Sequence, residues 1–335
     1  MDKVKIGVIG TGSIAQVVHL PILSKLEDVE LVAICDIDDT KIKVLSEKFH
    51  IPRWYYLIDN MMKHEKLDAI HICTPSVFHY PMAFLALKNG VNVFVEKPIS
   101  LTYQEAEKLH DLAETNGLTV MVGMQNRFRD DVAILKDFID NDELGDIYYI
   151  KAGWLKKWAK APERGWYEKK DSGGGVMIDM GIQLIDLGLY LTNLPEIYSV
   201  RLYDYALTPD LEVEEAALAV IKTKSGLTLT IEVSWKMHLD HDINYTHIFG
   251  KKGSAYLNPL RINKELHGNL VNVTPMLTED KAIRYKKSYE TEISHFINVI
   301  KGEEENMSSS EDAMYIMKII NALSESASTN KEIFL

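Results

Sequence analysis

Short apolar runs alternate with amphipathic stretches through the first third of the chain. Val4–Ile9, Val29–Cys35, Ala69–Cys73, Val91–Val95 and Thr119–Val122 are brief and rich in valine and isoleucine. Stretches of helical length separate them, among them Lys41–Phe49, Val77–Asn89 and Gln104–Asn116. Apolar strands spaced by helices predict βαβ units and a parallel sheet covered on both faces. Ser100-Leu101-Thr102 followed by Glu105 marks a helix start, and Asn116-Gly117 marks its end.

The pattern changes after Met124. Asp130–Asp140 reads as one helix, and a long helical run follows Gly173-Gly174-Gly175 as far as Leu191. From Tyr198 to Leu257 the segments look like antiparallel strands. Ala216–Thr223 and Leu227–Trp235 flank Lys224-Ser225-Gly226, and Thr246–Phe249 and Ser254–Leu257 flank a second turn. Two helices close the chain, Tyr289–Ile300 and Ser310–Thr329, and the polar stretch Gly302–Ser310 between them is expected to be exposed. The expected fold class is α/β: a doubly wound parallel sheet in residues 1–124, then an α+β domain in residues 125–335 with an open, mainly antiparallel sheet. The terminal helices are free to pack back on the first domain.

The segment Gly10-Thr11-Gly12-Ser13-Ile14-Ala15 directly follows the first strand. It is the G-x-G-x-x-A form of a dinucleotide fingerprint. Gly10 permits the tight turn, Gly12 lets the backbone approach a pyrophosphate, and Ala15 lets the helix pack closely on the strand. The pyrophosphate then meets amides at the helix N-terminus. The second strand ends at Asp36, near the ~20-residue spacing of an acidic ribose ligand. Asp36 would accept hydrogen bonds from ribose hydroxyls and repel a 2′-phosphate, and Ile37-Asp38-Asp39 after it bring no arginine. The expected cofactor is NAD rather than NADP, on a Rossmann domain. Pro21 falls inside the apolar run Ile14–Leu26 and is expected to kink or break the first helix near Leu20.

A net charge of −12 disfavours nucleic acid and anionic membrane as partners. No stretch reaches the ~20 uninterrupted apolar residues of a membrane helix, and the N-terminus lacks the regions of a signal peptide. The only cysteines, Cys35 and Cys73, sit in apolar runs without metal-site spacing. They read as buried free thiols, which fits a reducing cytoplasm.

Three further elements complete a pattern. Thr74-Pro75-Ser76 follows the strand Ala69–Cys73, with His79 shortly after. Glu96-Lys97-Pro98 follows the strand Val91–Val95. Gly173-Gly174-Gly175 precedes Asp179, Gln183 and Asp186. With Gln125-Asn126-Arg127-Phe128 at the domain junction, this order resembles the Gfo/Idh/MocA family, named for glucose–fructose oxidoreductase and inositol dehydrogenase, across essentially the whole chain. The resemblance implies hydride transfer between a nicotinamide and a hydroxyl or carbonyl of a sugar, inositol or related polyol. It implies Lys97 as the active-site lysine at the substrate, a turn shaped by Pro98 that is often cis in the family, and Asp179 as the substrate-side acid. Thr74, Pro75 and Glu96 would line the cofactor. His79 and Gln125 join them as candidates, although His79 could equally serve local packing. Arg127 and Trp166 are candidates for the substrate side.

These placements also have a physical logic. Ligands of a parallel sheet bind beyond the carboxyl ends of its strands, where Thr74 and Lys97 fall. Asp179, Gln183 and Asp186 have the i, i+4, i+7 spacing of one helix face. Gln183 departs from the family pattern, which has histidine there. A primary amide does not titrate near neutrality, so it cannot act as a general base, although it can hydrogen-bond a substrate. Lys97 is then the expected proton carrier, with Asp179 orienting it or the substrate.

Trp154, Trp158 and Trp166 interleave with Lys156, Lys157, Lys160 and Arg164. They read as an arm or lid at a sugar pocket or, equally, as packing between domains. His238, Asp240, His241 and Asp242 read as a solvated loop rather than a metal site. The family often covers its open sheet by forming dimers and tetramers, so a homodimer or homotetramer through the second-domain sheet is expected. Two readings compete with a dehydrogenase: a nucleotide-bound sensor without turnover, and an enzyme that recycles a tightly held cofactor.

Overall fold

The apolar runs of the first third form one six-stranded sheet in the structure, a computed structural model that describes residues 3–158, 165, 168–209 and 211–335. Its strands are β1 (Val4–Ile9), β2 (Val29–Cys35), β3 (Arg53–Tyr55), β4 (Ala69–Ile72), β5 (Asn92–Glu96) and β6 (Val120–Gly123). They lie in the order β3-β2-β1-β4-β5-β6, and every pairing is parallel. The order reverses between β1 and β4, which is where doubly wound sheets receive ligands. The apolar pattern misses β3. This edge strand pairs only with β2, and Arg53 and Trp54 are exposed, so it needs no apolar run.

Helices α1 (Leu20–Leu23), α2 (Asp39–Lys48), α3 (Ile58–His64), α4 (His79–Lys88) and α5 (Tyr103–Asn116) connect the strands. The Thr102 hydroxyl caps α5 by accepting the Glu105 amide at 3.2 Å, and Gly117 ends it at φ 61°. Pro21 does not break the first helix. The segment Ala15–His19 widens into a π-helical turn, with the Leu20 amide bonded to the Ala15 carbonyl. The helix then continues through Pro21 in α1.

Of the connection expected to be exposed, residues 302–305 and Met307 are exposed. Ser308 is instead buried against β6: its carbonyl accepts the Val122 amide at 2.9 Å, and its hydroxyl donates to the Val122 carbonyl at 2.6 Å. This covers the free edge of β6.

The second sheet contains β7 (Ile147–Lys157), β8 (Ile197–Tyr205), β9 (Ala216–Thr223), β10 (Thr228–Met237), β11 (Ile243–Gly250), β12 (Gly253–Leu257), β13 (Arg261–Leu266), β14 (Asn269–Asn272) and β15 (Ile333–Phe334). Their order is β14-β13-β12-β11-β7-β10-β9-β8-β15. Only β7 and β10 pair in parallel; the other pairings are antiparallel. Trp154, Lys156 and Lys157, expected in an arm or lid, belong instead to β7. That strand is paired on both sides, and its alternate residues Ile150 and Ala152 are fully buried. Lys160, Arg164 and Trp166 lie outside the described residues.

Helices α6 (Asp130–Asp140), α7 (Ile182–Leu191), α8 (Lys281–Ile300) and α9 (Ser310–Thr329) complete the fold. α7 packs on β7 and β10. Gly188 makes the approach close: a Cβ there would stand 2.8 Å from Leu229 Cδ2. Among the described residues, Lys170–Leu191 is the one helical segment long and apolar enough to cross a membrane by length and composition, but 78% of its apolar window is buried inside the protein. The chain divides into two units, Met1–Gln125 with Lys286–Met317, and Asn126–Tyr285 with Lys318–Leu335.

Arg127 lies in the core of the second unit, 2% exposed, rather than at a surface where a ligand would meet it. Its Nε donates to Asp186 Oδ2 at 3.0 Å and its Nη2 to Asp186 Oδ1 at 2.5 Å, and its guanidinium lies 4.9 Å from the Tyr190 ring centre. Asp186 is 1% exposed. Removing one partner of such a pair strands a buried charge. Asp186→Ala is therefore expected to lower stability to denaturant by about 3–5 kcal/mol. A loss under about 1 kcal/mol, the value of an exposed pair, would contradict a structural role.

Candidate functional site

The fingerprint turn is built by close backbone approach. Gly10 has φ +85°, and a Cβ on it would fall 2.7 Å from the Cys73 backbone carbonyl. Its amide donates to the Cys35 carbonyl at 2.8 Å, so the turn is held between β2 and the end of β4. Gly12 is different. Its φ is outside the left-handed range, and the nearest atom to an added methyl group would be 3.9 Å away. Nothing inside the described protein requires glycine there. The open face suits a group that approaches from outside, as the pyrophosphate of a dinucleotide does. Ser13 and Ile14 open the helix beyond it, whose first internal bond runs from the Gln16 amide to the Gly12 carbonyl at 3.1 Å. First-turn amides lack upstream carbonyl partners and so favour an anion.

Asp36 follows β2 and is oriented from both sides. Its Oδ2 accepts the Thr11 amide at 2.6 Å and the Thr11 hydroxyl at 2.8 Å. Its Oδ1 accepts the Asp38 amide at 3.0 Å. Thr11, the unspecified position of the motif, is fully buried and aims the carboxylate. These residues fit the adenosine half of a dinucleotide, with carboxylate lone pairs left for ribose hydroxyls.

Beyond β4, the hydroxyl oxygens of Thr74 and Ser76 are buried and have no hydrogen-bond partner among the described residues. Pro75 precedes the short helical turn Ser76–Phe78. His79, 1% exposed, is a clasp: Nδ1 lies 2.6 Å from the Pro98 carbonyl oxygen and Nε2 lies 2.8 Å from the Thr74 carbonyl oxygen. Both partners are acceptors, so a neutral ring donates to only one of them at a time. Burial lowers the His79 pKa, and its contacts to the Pro98 and Thr74 carbonyls oppose that shift. The Thr74 and Lys97–Pro98 loops are thus tied together, with the Lys97–Pro98 bond cis.

Glu96 ends β5 beside half-buried Lys97, and its Oε1 accepts from His19 Nε2 at 2.8 Å. Gly123 leaves room for this carboxylate, since a Cβ there would lie 3.2 Å from Glu96 Oε2. Gln125 is buried at the end of the first unit. Both thiols are poor nucleophiles. Burial raises Cys35 to about 12 and pushes Cys73 well above its ordinary value, and the Asp36 and Glu96 carboxylates reinforce the two shifts.

In the second unit, Gly173 (φ 77°) and Gly175 (φ 123°) lead into a π-helical turn, Met177–Gly181, which continues as α7. Asp179 Oδ2 accepts from Trp235 Nε1 at 2.8 Å, and Gln183 Nε2 donates to the Asp179 carbonyl at 3.2 Å. The widened turn shifts the phase expected for a regular helix. Asp186, further along α7, faces Arg127 in the core. Glu214, which no sequence motif marks, fills the space above Gly175, where a Cβ would lie 2.6 Å from its Oε1. Its carboxylate accepts the Met177 amide at 2.9 Å, and burial raises its pKa. No spacing rule links position 214 to this turn. His241 pairs with Asp240 at 2.9 Å, and no cluster of His, Cys, Asp or Glu among the described residues could hold a metal ion.

The two fingerprint glycines should respond differently to alanine. Gly10→Ala meets both a backbone clash and a strained φ, so it should lower the thermal midpoint. Gly12→Ala should melt like the wild type and lose at least about tenfold in NAD affinity by calorimetry, because a methyl group displaces a phosphate contact. Wild-type affinity in Gly12→Ala would remove this turn from the cofactor site.

Comparison with known proteins agrees with both units. Residues 4–124 match the oxidoreductase family with an NAD-binding Rossmann fold, and residues 132–256 match the GFO/IDH/MocA C-terminal domain. The D-glucoside 3-dehydrogenase of Escherichia coli (strain K12) is 27% identical over 350 residues, covering 100% of this chain and 98% of that relative. The myo-inositol 2-dehydrogenase of Thermotoga maritima is 24% identical over 349 residues, covering 99% and 98%. In fold, the crystal structure of scyllo-inositol dehydrogenase from Lactobacillus casei, with bound NAD(H) and scyllo-inositol, superposes with a TM-score of 0.82 at 22% identity, covering 99% of each chain. The chain belongs to the Gfo/Idh/MocA oxidoreductase family, and its first unit is an NAD-binding Rossmann fold.

Proposed function

We propose that the protein is an NAD-dependent dehydrogenase or reductase acting on a hydroxyl or carbonyl of a sugar, inositol or related polyol. The observation that carries this reading is the full-length similarity to relatives named for glucosides and inositols, joined to a fingerprint turn open at Gly12 and to the oriented Asp36. Gly10 to Ile14 hold the pyrophosphate, and Asp36 holds the adenosine ribose and repels a 2′-phosphate. Thr74, Pro75, His79, Glu96 and Gln125 line the other half of the cofactor. NAD, when bound, supplies the hydride acceptor. Lys97 binds the reacting oxygen of the substrate and carries its proton, because the Gln183 amide cannot. Asp179, held by Trp235, and Gln183 hydrogen-bond substrate hydroxyls.

A cofactor-bound regulator without turnover is the competing reading, favoured by Gln183 at the position of the family histidine. A panel of glucosides, free sugars and inositols, followed at the reduced-nicotinamide absorbance band, separates the two. Turnover with at least one polyol is expected, and Lys97→Ala should lower kcat by about 10²–10⁴-fold. Near-normal kcat in Lys97→Ala would overturn the role of Lys97, and NAD binding without turnover across the panel would favour the regulator.

The second-unit sheet supports self-association. Ile150, Ala152, Leu229 and Ile231 are buried, and α7 packs on their strands. On the alternate positions, Tyr149 stacks with Phe249 at 5.7 Å, His247 meets Tyr256 at 4.7 Å, and Tyr203 and Leu218 are exposed. An aromatic sheet face of this kind fits the same face of a second copy. Light scattering is expected to give a dimer or tetramer that Phe249→Glu shifts toward the monomer. A monomeric wild type would overturn this assignment.

A further inference from the structure

Two buried imidazoles in the first unit have no part in the function proposed above. His19 and His71 are 1% and 0% exposed. His19 leaves the π-helical turn behind the fingerprint, and His71 lies on β4. His71 stacks on Phe94 at 4.7 Å and meets the edge of Phe296 at 5.3 Å. The two Nδ1 atoms are 3.0 Å apart, and His19 Nε2 is 2.8 Å from Glu96 Oε1. The chain of contacts therefore runs from His71 on β4, through His19 on the first helix, to Glu96 at the end of β5.

The chemistry of the last partner gives this chain a direction. A carboxylate only accepts, so His19 Nε2 carries a hydrogen toward Glu96. In a neutral His19 the Nδ1 is then an acceptor, and His71 donates to it from Nδ1. Burial holds the His71 pKa far below the ordinary imidazole value, so His71 remains neutral. Its Nε2 is the buried atom left without a partner among the described residues. A hydrogen on that Nε2 would stand buried and unpaired, so His71 carries it on Nδ1 and holds His19 in the tautomer that faces Glu96, as an outer partner fixes the tautomer of a ligating histidine.

Strand order shows which half of the cofactor this serves. Asp36 follows β2 on one side of β1, whereas Glu96 ends β5 on the other side, beyond β4. A dinucleotide with its adenosine ribose at Asp36 and its pyrophosphate over the β1 turn has its nicotinamide riboside on the Glu96 side. We infer that His19, with its tautomer set by His71, is a positioning residue that holds Glu96 toward the nicotinamide riboside. The inference rests on the reading that Glu96 lines the cofactor.

Calorimetry with NAD and with ADP, which lacks the nicotinamide riboside, tests it on the intact protein, with thermal melts as the folding control. In His19→Leu, NAD affinity should fall about tenfold or more while ADP affinity stays within about twofold. His19→Gln keeps an amide donor near the place of Nε2 and should recover NAD affinity to within about threefold of wild type. Wild-type NAD affinity in His19→Leu, or equal losses for NAD and ADP, would overturn the inference, the second by showing a merely structural role. Glu96→Gln tells the two failures apart. If it binds NAD as the wild type does, Glu96 does not line the cofactor and the inference falls with that reading. If it weakens NAD while His19→Leu does not, only the inference fails.

Discussion

The contact between Gly10 and the backbone of Cys73 is the constraint on which the first unit depends. A side chain at Gly10 would collide with that backbone, and its φ of +85° disfavours any other residue. The contact brings the end of β1 against the end of β4, where the strand order reverses. Gly12 is thereby left with an open face, and Thr11 is turned inward, where it fixes Asp36. One close approach thus shapes the turn, leaves Gly12 open and orients the Asp36 carboxylate.

Around this turn the protein buries polar groups that a purely structural core would avoid. His79 ties the Thr74 loop to the Lys97–Pro98 loop through two carbonyls. His19 ties the fingerprint helix to Glu96. Burying imidazoles, carboxylates and hydroxyls costs free energy unless each finds a partner. These groups find theirs in loops at the carboxyl ends of β1, β4 and β5, or remain open there, as the Thr74 and Ser76 hydroxyls do. That concentration is what a polar ligand would require.

The second unit uses a different device. Its central helix is buried nearly all round and continues from a π-helical turn at Met177–Gly181. Asp179 meets the indole of Trp235, whereas Asp186 enters the core with Arg127. Glu214 closes the space over Gly175 and caps the Met177 amide. Gln183 donates to the Asp179 carbonyl, and its amide does not titrate near neutrality.

By itself the sequence determined the features that depend on local period and local chemistry. The apolar runs named five of the six parallel strands, the glycine spacing located the turn, and Asp36 followed from its distance along the chain. Thr102 and Gly117 marked the ends of α5 for the same reason, since caps are made by neighbours in sequence. The tertiary structure alone decided what depends on partners far apart. Arg127 resembles a substrate residue until Asp186 stands opposite it, and Trp154 resembles part of a lid until β10 and β11 flank it. His19 is unmarked in an apolar run because its partners, His71 and Glu96, are distant in sequence. The π-helical turns at Ala15–His19 and Met177–Gly181 are likewise features of the folded chain, because no single residue announces such a turn.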